Sequence, residues 1–183
     1  LWGKISDLYG RRPIFQTAIV VFLAGSLVAG AAGSMGVLIG GRAIQGLGAG
    51  GLIALALSII GDVIPPRERG RYQGYFGVVF GVSSVAGPLI GGWFTDGPGW
   101  QWIFWINIPI GIAALVVTSL ALKMPKVRRD HRIDYLGAAT IVAAVTSILL
   151  FTAWAGPAYG WTDPFSLALL GGGVLLTGLF LVV

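Results

Sequence analysis

The sequence predicts an all-α membrane protein, a polytopic bundle of transmembrane helices, on three observations. Of 183 residues, 56% are hydrophobic and 10% charged, with mean hydropathy +0.86; 12 Lys and Arg with 7 Asp and Glu are too few to cover a water-soluble particle of this size. Six segments have, or come close to, the ~20 apolar residues that a helix needs to cross a ~30 Å hydrocarbon layer. The connections between them alternate, one basic and the next without Lys or Arg. Apolar and polar residues do not alternate with period two, which argues against a membrane β-barrel.

In chain order the spans are 14–32, 37–60, 72–94, 102–122, 136–155 and 165–183, the last barely long enough. Lys4, Arg11 and Arg12 precede the first; Arg67, Arg69 and Arg71 join the second to the third; Lys123, Lys126, Arg128, Arg129 and Arg132 join the fourth to the fifth. Connections 33–36, 95–99 and 156–164 hold no cation. Groups of three, three and five of the 12 Lys and Arg therefore lie on one side, which the positive-inside rule makes cytoplasmic. The outer connections carry Asp96 and Asp163, with Trp100, Tyr159 and Trp161 placed as interfacial anchors. The organisation read from this is four spans over 1–122, a basic cytoplasmic loop over 123–134, and two further spans over 135–183. The chain opens on Leu1 and stops inside an apolar run, as a piece of a longer protein would.

A net charge of +5 could suggest nucleic acid, but cations that alternate with spans are an orientation signal, so no nucleic-acid partner is expected. Zero cysteines exclude a disulfide framework, a thiolate metal site and a cysteine nucleophile. No span contains histidine or paired carboxylates, which disfavours an intramembrane enzyme. The lone histidine, His131, lies in the basic loop, which reads as a surface segment drawn to anionic lipid.

Arg42 is the cation that the orientation pattern leaves over. It sits inside the second span, where an unpaired charge costs from about 3 to about 15 kcal/mol, so it faces a partner or a wet cavity, or snorkels to the outer headgroups. Gln45, Gly46, Gly48, Gly50 and Gly51 follow it, and together they read as one polar, small-residue stripe on an interior-facing helix. The third span carries Gly77, Gly81, Gly87, Gly91 and Gly92, with Ser83 and Ser84 between, a small-residue side expected to admit backbone contact with a neighbouring helix, with Pro88 bending the span into a hinge. Phe76, Phe80 and Trp105 are candidates for lining a lipophilic cavity.

These residues resemble the major facilitator superfamily. Gly3-Lys4-Ile5-Ser6-Asp7-Leu8-Tyr9-Gly10-Arg11-Arg12-Pro13 is similar to the family's loop between helices two and three. Leu38, Arg42, Gln45, Gly46 and Gly48 match its helix-four motif, and Gly74 with Gly87-Pro88-Leu89-Ile90-Gly91-Gly92 resembles the helix-five motif of proton-driven exporters. The stretches 102–111 and 134–137 look like the openings of helices six and seven in the fourteen-span drug:proton antiporter branch. Leu8, Ser83 and Gln101 depart from the usual basic residue, glycine and arginine at those positions; Leu8 removes one cation from the loop.

The resemblance implies helices three to eight of fourteen, with a missing C-terminal half, in a multi-pass cell membrane protein of a bacterial plasma membrane. It implies a secondary active transporter that exchanges protons for drugs or other amphipathic molecules by alternating access, with no cofactor beyond the proton gradient and with the lipid bilayer, a small amphipathic substrate and protons as partners. Gly3, Asp7, Gly10, Arg11, Arg12 and Asp62 would form a cytoplasmic gating latch, Asp62 being the nearest acidic partner for Arg11. Arg42, Gln45 and Gly46 would couple transport to protons. A guanidinium stays charged, so Arg42 would act by favouring the ionised form of a carboxylate elsewhere in the protein. Gly74, Gly87, Pro88, Gly91 and Gly92 would seal the exporter helix. The competing readings are a dedicated exporter of one metabolite, such as a self-made antibiotic or siderophore, and, more remotely, a passive channel.

Overall fold

The computed structural model describes residues 2–122 and 134–182. Among them there is no strand, and six helices are long and apolar enough to cross a membrane. The elements are α1 (Trp2–Tyr9), α2 (Arg11–Gly30), α3 (Met35–Val63), α4 (Arg69–Asp96), α5 (Trp102–Trp105), α6 (Asn107–Ala121), α7 (Tyr135–Trp154), a π-helical turn (Ala155–Tyr159) and α8 (Pro164–Val182). They fall into two units, α1 to α6 in one and α7 to α8 in the other.

The first unit is organised on α2. Its most extensive neighbour is α3, and the two backbones approach so closely that glycine is required at the contact. A Cβ at Gly41 would stand 2.7 Å from the Ala29 backbone nitrogen, and Cβ atoms at Gly25 and Gly48 would collide with the backbones of Gln45 and Phe22. In lipid, where no hydrophobic force drives helices together, such close van der Waals contact is a main source of association. Ala18, Ile19, Leu23, Ala29 and Leu55 are buried with these glycines. On another side of α2, Gly111 of α6 receives the Leu23 side chain, and Gly30 faces the Trp105 ring and the Phe104 Cβ.

Gly10 separates α1 from α2 with φ of 100°, a left-handed conformation that side chains rarely adopt, and the chain turns there without a cap from a side chain. The apolar segment 102–122 forms one run long enough to span, Trp102–Ala121, interrupted only at Ile106 between α5 and α6, a residue that keeps helical dihedrals (φ −60°, ψ −26°). Pro109 explains the break. It has no N–H to bond the carbonyl four residues earlier, that of Trp105, and it is tolerated in the first turn of α6, where N–H groups have no intrahelical partner.

α4 runs unbroken through Pro88. The expected backbone contact along its glycine face is not made within the described residues: a Cβ at Gly74, Gly77, Gly81, Gly87, Gly91 or Gly92 would meet nothing within 4 Å. Only Phe94 near its end is buried, stacked on Trp102 at 6.4 Å. The helix is apolar on all sides, so composition alone could not say which face finds a neighbour.

In the second unit the Asp134 carboxylate caps α7 by accepting from the Gly137 N–H at 2.7 Å, and Gly173 of α8 lets the Ile148 side chain in. At the far end of α7, Phe151 and Trp161 meet edge to face, and Trp154, Tyr159 and Phe165 form an aromatic cluster. Such a cluster suits the headgroup layer. The expected basic loop, with Lys123, Lys126, Arg128, Arg129, His131 and Arg132, lies outside the described residues.

Candidate functional site

Two polar clusters stand out in the first unit, one near each end of α2. The first begins with Arg11, at the start of α2. Its Nη2 lies 2.7 Å from Asp7 Oδ1 and its Nε donates to Asp62 Oδ2 at 2.8 Å. Nη1 donates to Ser6 Oγ at 2.6 Å, and that hydroxyl in turn donates to the Gly3 carbonyl at 2.6 Å. One guanidinium therefore ties α1, α2 and the end of α3 together. Its side chain is 16% exposed, against 42% for Asp62, so the α3 partner is the wetter one. Asp7 lies inside α1, not beyond a helix end as its place in the loop motif suggested.

The neighbouring Arg12 bonds a different helix. Its Nη2 donates to the Ser119 carbonyl at 2.9 Å, and Gln16 Nε2 donates to Ser119 Oγ at 2.8 Å, fixing the end of α6 to the start of α2. Arg69 completes this end of the unit by donating to the carbonyls of Gly61 and Ile64, unpaired groups at the end of α3. With Arg71, whose Nε donates to the Tyr75 hydroxyl at 3.1 Å, four of the cations counted as orientation signals have specific partners. Ser6, Gln16 and Ser119 were not legible as their neighbours, because small polar residues are common in membrane helices and nothing in their spacing marked these.

Trp2 adds a contact along α3. Its indole Nε1 donates to the Leu47 carbonyl at 2.9 Å, and its ring lies against Gly51, where a Cβ would stand 2.8 Å from it.

The second cluster lies toward the other end. Arg42 Nη1 donates to Gln45 Oε1 at 2.6 Å, Gln45 Nε2 donates to Ser26 Oγ at 2.7 Å, and Asn107 Nδ2 reaches the same hydroxyl at a long 3.4 Å. The Arg42 guanidinium stands 5.9 Å from the centre of the Phe104 ring, within reach of a cation–π contact. Gln45 and Ser26 are buried, while Arg42 is exposed to a cavity of about 330 Å³ that Phe22, Phe104 and Asn107 also line. Snorkelling does not describe this arginine. Its head bonds a residue one turn further into the helix, away from Met35, where α3 begins.

The single stripe expected from Arg42 to Gly51 is two faces. Gly41, Gln45, Gly48 and Gly51 are buried against neighbouring elements, whereas Gly46 and Gly50 have nothing within 4 Å of a would-be Cβ. Gln45 stands at the seam, buried by α2 and bonded to the cavity arginine. Helix geometry accounts for the split: residues four apart are offset by only about 40° and share a face, so 42 and 46 belong together and 41, 45 and 48 belong together.

A second cavity, of about 370 Å³, opens between α4 and the α5–α6 break, with Gly87, Gly91 and Phe94 on one side and Ile103, Asn107 and Ile110 on the other. Asn107 borders both cavities. Phe76, Phe80 and Trp105, expected as cavity aromatics, line neither; Trp105 packs on Gly30 instead. Phe22, Phe94 and Phe104 supply the aromatic surface.

Helices long enough to span, a guanidinium that joins α1 to two of them, and a buried polar cluster opening on a cavity make up the first unit. The family model described as Major Facilitator Superfamily matches residues 1–183, and the chain belongs to that superfamily. It is 43% identical over 180 residues to an uncharacterized MFS-type transporter of Mycobacterium tuberculosis, covering 97% of this chain and 26% of that protein. It is 40% identical over 182 residues to multidrug resistance protein 3 of Bacillus subtilis, covering 100% of this chain and 34% of that protein. The multidrug transporter MdtP of the same organism is 37% identical over 174 residues, with 92% of this chain and 32% of the relative covered. The chain spans about a quarter to a third of the length of these relatives. It is a multi-pass membrane protein of a transporter family, not of an enzyme family.

Proposed function

We propose that the chain forms part of a secondary active transporter that exports amphipathic organic molecules across a bacterial plasma membrane in exchange for protons. The observation that carries this reading is the bridge from Arg11 to Asp7 and Asp62. A charge pair between two helix ends, one partner half wet, suits a contact made in one conformation and broken in another. Its energy is modest because the pair is partly exposed, about 1 kcal/mol or less. A latch of that size biases an equilibrium without freezing it, as a cycling transporter requires. Relatives named as multidrug transporters support the class of substrate.

Arg42 supports the coupling role in a specific way. No carboxylate lies within ion-pair distance of it among the described residues, so a proton carrier would come from another part of the protein. The Ser26–Gln45 pair holds the guanidinium toward the cavity, where a carboxylate of the protein or of a substrate could reach it. Whole-cell efflux of a panel of lipophilic dyes and antibiotics, with and without a protonophore, tests the proposal. Energy-dependent exclusion of several unrelated compounds is expected; exclusion that ignores the protonophore speaks against it.

A further inference from the structure

We infer that the cavity under Arg42 is a binding site for an aromatic carboxylate, so that amphipathic anions are among the compounds this protein takes. Calling such a compound a substrate rests on the transporter reading; the binding itself does not.

The cavity pairs a charge with an aromatic surface. Arginine carries five N–H donors in a planar fork, and among the described residues the guanidinium of Arg42 makes one hydrogen bond, to Gln45 Oε1 at 2.6 Å. The remaining donors suit a carboxylate, which the fork can grip through two parallel bonds. The acceptor of that bond is fixed, because Gln45 is itself held by Ser26 at 2.7 Å and is buried. The site is therefore organised before a ligand arrives, which lowers the ordering cost of binding.

The rest of the wall is apolar or weakly polar. Phe104 lies beneath the guanidinium at 5.9 Å, and Phe22 and Ile103 extend the apolar surface. Asn107 holds its two hydrogen bonds at 3.4 Å each, to Ser26 Oγ and to the Ile103 carbonyl, long enough that its amide can turn to a better acceptor. A volume of about 330 Å³ is at the small end of ligand sites and fits one or two fused rings. A lipophilic cation entering the same space would meet the fixed positive charge of Arg42, so the site discriminates by sign.

The same carboxylate chemistry could come from an acidic side chain elsewhere in the protein, and the test separates the two sources. The complete gene product in lipid nanodiscs is titrated at pH 8 with 2-naphthoate and with its neutral isostere 2-naphthamide. The expected result is that wild type prefers the acid by about tenfold or more, the ratio that one charge-assisted bond provides. Arg42→Gln should erase the preference, and Arg42→Lys, which keeps the charge without the fork, should retain part of it. Gly46→Phe, which fills the cavity from a position with open space around it, should weaken both ligands. Equal binding of acid and amide by wild type would mean that the site is filled from within or is not a site, and overturns the inference. So does a preference that survives in Arg42→Gln or, should that variant not fold, one untouched by both Arg42→Lys and Gly46→Phe. A clear preference for naphthoate without proton-dependent efflux of it from vesicles would leave the site standing and defeat the transporter reading instead.

Discussion

Arg11 and Asp62 are 51 positions apart and meet at 2.8 Å, joining the start of one spanning helix to the end of the next. The same guanidinium holds Asp7 at 2.7 Å, so two carboxylates share one cation. If this is a latch, its members should matter far more to the transport cycle than to folding. Asp62→Asn should insert normally and lower thermal stability in detergent by no more than about 1 kcal/mol, the scale of a partly exposed pair, and Arg11→Ala, which also strips Asp7 and Ser6 of their partner, by more, while transport falls by an order of magnitude or more in both. A double-mutant cycle on the two residues should return a coupling of the same small size. A large loss of stability with transport intact would make the bridge a structural staple.

The α2–α3 contact should behave in the opposite way. Gly41→Leu and Gly48→Leu would force side chains into the backbones of Ala29 and Phe22, and each should destabilise by about 1–3 kcal/mol or more, the cost of overpacking. Gly46→Ala, on the open face of the same helix, should not lower the melting temperature, since alanine gains about 0.5–1 kcal/mol of helix propensity over glycine. Thermal unfolding followed by near-ultraviolet circular dichroism in detergent measures all three.

Ser26→Ala tests the cluster that holds Arg42. The substitution removes the acceptor of Gln45 Nε2 and leaves a buried donor unpaired, which should cost about 1–3 kcal/mol. It should also loosen Arg42 and so shift the pH dependence of transport. A pH profile superposable on wild type would show that Arg42 is placed without Ser26.

Gly87→Leu probes the unpartnered face of α4. Nothing described lies within 4 Å of a Cβ there, so the unit formed by α1 to α6 should keep its own stability when its unfolding is followed through α2 and α3. Impaired transport would then report filling of the cavity that Gly87 lines or a neighbour that α4 meets elsewhere in the protein. Unimpaired transport would remove the helix-five motif from the mechanism.

Much of this was legible because charge is expensive in lipid. The spans follow from where Lys, Arg, Asp and Glu are missing, and the nearness of Asp62 to Arg11 follows from both lying at the basic ends of adjacent helices. What could not be read was which face of each helix finds a partner. α3 and α4 are apolar or glycine-rich all round, so periodicity separates no buried side from a lipid side. That is why Gly46 and Gly48 read as one stripe in the sequence, and why the glycines of α4 read as a contact face. The break at Ile106 did have a signal, Pro109, whose missing N–H falls where a continuous helix would need it. The Ser26–Gln45–Arg42 relay had none, since its members lie 19 and 3 positions apart on two helices whose register only packing fixes.

The central claim, proton-coupled export, is tested most directly by proton movement. The complete gene product is reconstituted in liposomes with a pH-sensitive dye inside and an imposed proton gradient, and a transported amphiphile is added. Substrate-dependent proton counterflow is expected, abolished in Arg11→Ala. Substrate flux that continues at the same rate after an ionophore collapses the gradient, with no dye response, would contradict it.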